Sequence, residues 1–147
     1  MLEFNVETKW EKRDDLPNER LNTISSGGRP NIECVPPPEF SGIPGYWTPE
    51  HLFVASAASC YLLTLLKVSK NSNLNVTVVK MDAKGFLVEN DDGSKVFKKL
   101  VFEPTLTVLK ESEVKKAKRI AQMAEKTCII GNSITAEKEV KPTIEIA

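Results

Sequence analysis

The feature that most constrains this chain is the run from Leu52 to Leu66, which is apolar on nearly every side of the helix it predicts. Thr48 is placed to cap that helix, Pro49 suits its first position and Glu50 its first turn. A helix over about 48–69 is therefore predicted, ending at Asn71 to Asn73. Its apolar residues cover most of the circumference, and such a helix has to be buried on most sides. The run Ala55-Ser56-Ala57-Ala58-Ser59 leaves little side-chain bulk, so another helix can pack closely against it. One sheet and one further helix offer less cover than this segment needs, and a dimer that buries it between protomers would supply the rest. Ser56, Ser59 and Thr64 interrupt the run, and Glu50, His51 and Lys67 bound it. It is too short for a comfortable membrane span.

The flanking regions read mainly as strands. Up to about residue 46, Phe4, Val6, Thr8 and Trp10 alternate with Asn5, Glu7 and Lys9, a period of two. After a polar turn at Asp14 to Asn18, strands are predicted near Leu21 to Ser25 and Asn31 to Val35, joined at Gly27-Gly28. Pro36-Pro37-Pro38 then opens a Gly/Pro-rich loop that runs to Gly45. Beyond about residue 74, strands are predicted at Asn75 to Lys84, Gly85 to Glu89 and Lys95 to Leu109, with a turn at Asn90-Asp91-Asp92-Gly93. Val114, Ala117, Ile120, Ala121 and Ala124 recur at helical spacing and predict an amphipathic helix over Ser112 to Lys126. A last strand, Glu139 to Ile146, lies near a sheet edge because Pro142 cannot donate to a ladder. Antiparallel strands with two segregated helices give an α+β class in one domain spanning residues 1–147.

Composition narrows the function classes. The chain has 147 residues, 41% of them hydrophobic, enough for a packed core. Twenty basic and 20 acidic side chains cancel, so no charge footprint points to nucleic acid or an anionic membrane. The N-terminus lacks the basic-then-apolar order of a signal peptide, and a cytoplasmic protein is expected. Cys34, Cys60 and Cys128 form neither a disulfide framework nor a zinc site, since no CxxC occurs and His51 is the only histidine. No metal or cofactor is expected. Thiols of this kind are either inert core residues or redox-active ones, and the local sequence does not choose.

The stretch from Thr48-Pro49-Glu50-His51 to Ala57-Ala58-Ser59-Cys60-Tyr61 resembles the signature of the OsmC/Ohr family, in which Pro-Glu opens a small-residue helix carrying a cysteine about ten positions on. Thr127-Cys128-Ile129-Ile130-Gly131, after the amphipathic helix, resembles the family's second cysteine motif, and the order of elements is similar over most of the chain. The resemblance implies an intertwined α+β homodimer with active sites at the subunit interface. It implies thiol-dependent reduction of organic hydroperoxides, with an external dithiol, of lipoyl or similar type, as reductant. By the same resemblance Cys60 is the peroxidatic cysteine, Cys128 the resolving one, Glu50 the acidic partner and Arg29, in Gly27-Gly28-Arg29, the catalytic arginine. Two positions depart from the pattern: Ile129 stands where proline usually follows the second cysteine, and Pro30 follows Arg29, which leaves Arg20 as the fallback cation. Cys34 has no counterpart and reads as structural, and His51 reads as a partly exposed first-turn residue.

The implied chemistry meets a physical obstacle. Only the thiolate is nucleophilic, and an ordinary cysteine, with a pKa of about 8.5, is mostly protonated at neutral pH. Burial raises that pKa further. The helix dipole acts within the first turn only, about three turns short of Cys60. A cation is therefore expected beside Cys60, with Glu50 holding the arginine fork. Ten residues of helix rise about 15 Å, so Glu50 and the arginine are expected to serve the Cys60 of the other protomer. The competing expectations are a non-catalytic redox-sensing or small-ligand-binding dimer of the same fold, and a structural module with inert thiols.

Overall fold

A computed structural model describes residues 1–147, which divide into two compact units, Met1–Phe53 and Val54–Ala147. In the first unit, β1 (Glu7–Lys9), β2 (Asn22–Ser25) and β3 (Ile32–Cys34) form an antiparallel sheet, with Thr8 opposite Ile24 and Thr23 opposite Glu33. The reversal between β2 and β3 uses Gly27 (φ 27°) and Gly28 (φ 72°), a backbone region that side chains disfavour. The alternating N-terminal run yields only three paired residues, because no strand lies opposite residues 1–6; Leu2, Phe4 and Val6 stay exposed. The Pro-rich loop folds back tightly on itself. A Cβ on Gly42 would lie 1.5 Å from the Pro36 carbonyl oxygen, so only glycine fits there. Val35 N–H donates to the Trp47 carbonyl (3.0 Å), which brings the loop's end beside the buried Cys34.

Helix α1 (Pro49–Asn71) starts as expected: the Thr48 hydroxyl accepts from the His51 N–H (3.1 Å). The chain buries a single stripe of it, Ala57, Tyr61, Leu65 and Ser69, spaced four apart. By length and composition the helix could cross a bilayer, yet Tyr61 is tied into a protein core. Its ring stacks on Phe102 (5.2 Å between centroids) and its hydroxyl donates to the Ala121 carbonyl (2.8 Å).

That core belongs to the second unit. The hairpin of β4 (Val76–Glu89) and β5 (Lys95–Val108) pairs along its whole length, the two strand segments expected before the turn forming one strand. Gly85 allows α1 to come close: a Cβ there would meet Val54 Cγ2 at 2.6 Å and the Phe97 ring at 2.8 Å. Along β5, Leu100, Phe102, Leu106 and Val108 are buried. Helix α2 (Val114–Lys126) buries Ala117, Ile120, Ala121 and Ala124, the stripe its periodicity predicts. It is followed by the short α3 (Ile129–Asn132). The expected last strand is two, β6 (Glu137–Val140) and β7 (Thr143–Ile146), split where Pro142 has no N–H to give. Both run parallel to β5, which the crossover through α2 permits. The architecture is α+β: one antiparallel sheet, a second sheet in which two short parallel strands flank an antiparallel hairpin, a long helix and a second, amphipathic one.

Candidate active site

Cys60 lies mid-way along α1, at the border between the buried stripe and the exposed arc, and is half-buried. Cys128 is reached by a different route. Helix α2 ends with the Thr127 N–H on the Ala124 carbonyl, the chain turns extended at Cys128 (φ −72°, ψ 120°), and α3 begins. Cys128 is thus the N-cap of α3, and its sulfur accepts from the Gly131 N–H at 3.4 Å. This places its buried thiol against Cys60, and the two sulfurs hydrogen-bond.

The surroundings separate the two thiols electrostatically. Burial pushes Cys60 up. Hydrogen bonds from the Ile130 N–H, the Cys128 thiol, the Ile129 N–H and the Thr64 hydroxyl outweigh it, so the Cys60 pKa lies below the ordinary cysteine value. Burial, and then the hydrogen bond and charge of Cys60, hold Cys128 above it, despite the N–H groups of Gly131 and Ile130. Of the pair, Cys60 is the thiol that ionises first, and Cys128 is the one that donates to it. The donors to Cys60 are all neutral, and no arginine is among them. The Thr64 hydroxyl has one hydrogen and lies 2.9 Å from the Cys60 carbonyl, so it serves either that oxygen or the sulfur.

A groove of about 440 Å³ opens on Cys60, lined by Leu63, Thr64, Lys67, Val68, Asn71, Thr127 and Ile129. Leu63 is 64% and Ile129 76% exposed, so its apolar walls face solvent in this chain.

The remaining predicted residues lie in the first unit. The Arg29 guanidinium folds over its own turn, 3.3 Å from the Gly27 carbonyl and 3.4 Å from both oxygens of Ser26. Arg20 is held by Asn18 and by the Phe40 carbonyl. Glu50 sits in the first turn of α1 with Oε2 buried and without a hydrogen-bond partner. It raises the pKa of the buried Cys34, whose burial already does so. His51 is exposed, its Nδ1 2.7 Å from the Thr48 hydroxyl. Sequence reasoning missed the backbone donors at Ile129 and Ile130 and the Thr64 hydroxyl. Only Thr64, four residues after Cys60 on a predicted helix, left a signal.

The profile of the OsmC-like protein family matches residues 42–143, which include both sulfurs of this pair. The chain belongs to the OsmC-like family. Glu50 falls within the family match, while Arg20, Arg29 and Cys34 precede it. Among curated relatives, the uncharacterized protein YmaD of Bacillus subtilis (strain 168) is 28% identical over 144 residues, covering 94% of this chain and 90% of YmaD. An OsmC-like protein of unknown function from Vibrio cholerae has a similar structure (TM-score 0.86, 22% identity, 97% of this chain and 99% of that one). So do an organic hydroperoxide resistance protein from Elizabethkingia anophelis (TM-score 0.76, 18% identity, 100% and 98%) and OhrB of Bacillus subtilis (TM-score 0.66, 18% identity, 98% and 98%). At these identities the structures establish the OsmC-like fold of the chain.

Proposed function

We propose that this OsmC-like chain is a cysteine-based peroxidase that reduces organic hydroperoxides in the cytoplasm, as part of a defence against oxidative stress. The observation that carries the reading is the hydrogen-bonded pair of Cys60, with its pKa lowered, and Cys128, with its pKa raised. The Cys60 thiolate attacks the outer peroxide oxygen. The O–O bond breaks, the alkoxide leaves and takes a proton as the alcohol, and Cys60 becomes a sulfenic acid. The Cys128 sulfur attacks it, a disulfide forms and water leaves. The sulfurs start in hydrogen-bond contact and close to about 2.05 Å. An external dithiol, of lipoyl type, returns both thiols by exchange and is itself oxidised to a disulfide.

The working form is a homodimer. The exposed Leu66 on α1 supports this, since apolar surface of that kind is ordinarily covered. In it Glu50, whose Oε2 has a free lone pair, would orient Arg29, or Arg20, toward the Cys60 of the other protomer. That guanidinium would steady the leaving alkoxide.

The test is a titration of native protein with cumene hydroperoxide, counting free thiols in wild type and Cys60→Ser. Rapid loss of two thiols, absent in the variant, with turnover when a dithiol is supplied, is expected. Reversible disulfide formation without turnover would instead identify a redox sensor. Slow oxidation independent of Cys60 would end the peroxidase reading.

A further inference from the structure

Within one chain, the groove beside Cys60 carries one charged side chain. Of its lining residues, Cys60, Thr64, Lys67 and Asn71 recur along one face of α1 at steps of four, three and four. Leu63, Val68 and Ile129 make the walls apolar, and no carboxylate of the same chain lines the groove. Lys67 is exposed and no acidic side chain pairs with it. It follows Cys60 by two helical turns, about 10 Å of rise, and helical side chains lean toward the N-terminus, here back over the turn that holds the sulfur. An unpaired ammonium at one end of an apolar trough, with a nucleophile at the other, fits a molecule that is apolar in the middle and anionic at the far end.

We propose that Lys67 is a specificity residue that reads charge in this groove, and that the preferred hydroperoxide carries a carboxylate across a short apolar spacer from its peroxide. The substrate claim rests on the peroxidase reading above; the charge claim does not. Lys67 takes the carboxylate, the spacer lies against Leu63, Val68 and Ile129, and the peroxide reaches Cys60. A para-substituted benzene ring has about the right span, so cumene hydroperoxide and its 4-carboxy derivative form a matched pair of probes.

The first measurement needs no peroxidase activity. Cys60 in native protein is alkylated with iodoacetate, an anion, and with iodoacetamide, its neutral analogue, and the modified peptide is quantified by mass spectrometry. The iodoacetate-to-iodoacetamide rate ratio is expected to fall about fivefold in Lys67→Met, the scale of one charge acting across a solvent-facing groove. It should fall further in Lys67→Glu, hold in Lys67→Arg, and shrink in wild type at high salt. A ratio that ignores residue 67 overturns the charge claim. The second measurement is turnover of the two peroxides with dithiothreitol, a neutral reductant. The carboxylate is expected to lower KM about fivefold in wild type and Lys67→Arg but not in Lys67→Met, with the preference in KM rather than kcat. Equal KM values in wild type, or a preference that survives in Lys67→Met, overturn the substrate claim. If neither peroxide is reduced although the alkylation ratio follows Lys67, the peroxidase reading fails and takes the substrate claim with it, while the charge claim holds.

Discussion

The Cys128 thiol donates a hydrogen bond to the Cys60 sulfur, and that contact sets the two cysteines apart. Two equivalent thiols in contact would compete for a single negative charge. Here the backbone breaks the tie: Ile129 and Ile130 give N–H groups to Cys60, whereas Cys128 is buried more deeply. The charge settles on the half-buried sulfur that faces the groove, where a reagent can reach it. The buried sulfur is the one that gives up its proton last.

The rate of Cys60 alkylation by iodoacetamide should therefore inflect at a lower pH than that of an unperturbed cysteine. Cys128→Ala removes a donor to the thiolate and should move the inflection up. Cys128→Ser, whose hydroxyl can still donate, should leave it near that of wild type. An inflection that is the same in all three proteins would mean that the contact between the sulfurs carries no electrostatic weight.

Gly85 sits where β4 passes α1, and its missing side chain is what permits the approach. Alanine there would press on Val54 Cγ2 and on the Phe97 ring. Val54 is β-branched and stiff in a helix, so it yields little. Gly85→Ala should cost about 1–3 kcal/mol in urea denaturation, the usual penalty of overpacking. Adding Val54→Ala should recover part of that loss. Additive losses in the double variant would show that the two positions do not press on each other.

What the sequence made legible was what residue identity encodes locally. Thr48 and Pro49 mark the start of α1, alanines and Ile120 at helical spacing mark the buried face of α2, and Asn90 to Gly93 mark the hairpin. The cysteine pairing was legible only through family resemblance, because nothing local to Cys60 or Cys128 shows that they meet. The parallel pairing of β6 and β7 with β5 was not legible, since side-chain alternation reads the same in either direction. Nor were the donors that tune Cys60. They are backbone N–H groups in α3, and every residue but proline carries one. The N-terminal alternation predicted more strand than forms because a strand needs a neighbour as well as a pattern.

Tyr61 should mark the alkaline limit of stability. Burial first, and then the charge of Glu125, raise its pKa well above the ordinary value of about 10. The folded state thus favours the neutral phenol over the phenolate. Stability from this group is fully present below the unfolded pKa and is lost as pH rises past it toward the folded value. Tyr61→Phe loses the hydrogen bond to the Ala121 carbonyl, at about 1 kcal/mol near neutral pH. It should also flatten the decline in stability above a pH of about 10. Urea midpoints at neutral and alkaline pH read both effects, and parallel declines in the two proteins would place the alkaline limit elsewhere.

Ile129 occupies the first position of α3, directly after its N-cap Cys128. Proline suits that position sterically, since its fixed φ is already helical and the N–H it lacks would find no partner within the helix. In this chain the N–H has a partner outside the helix, the Cys60 sulfur. Ile129→Pro should therefore leave the thermal midpoint within a few degrees of wild type, yet shift the Cys60 alkylation inflection to higher pH. Ile129→Ala controls for the lost side chain: it keeps the N–H and should keep the low inflection. If proline and alanine behave alike, the Ile129 amide is not among the groups that hold Cys60 as a thiolate, and the lowering rests on Ile130, Cys128 and Thr64.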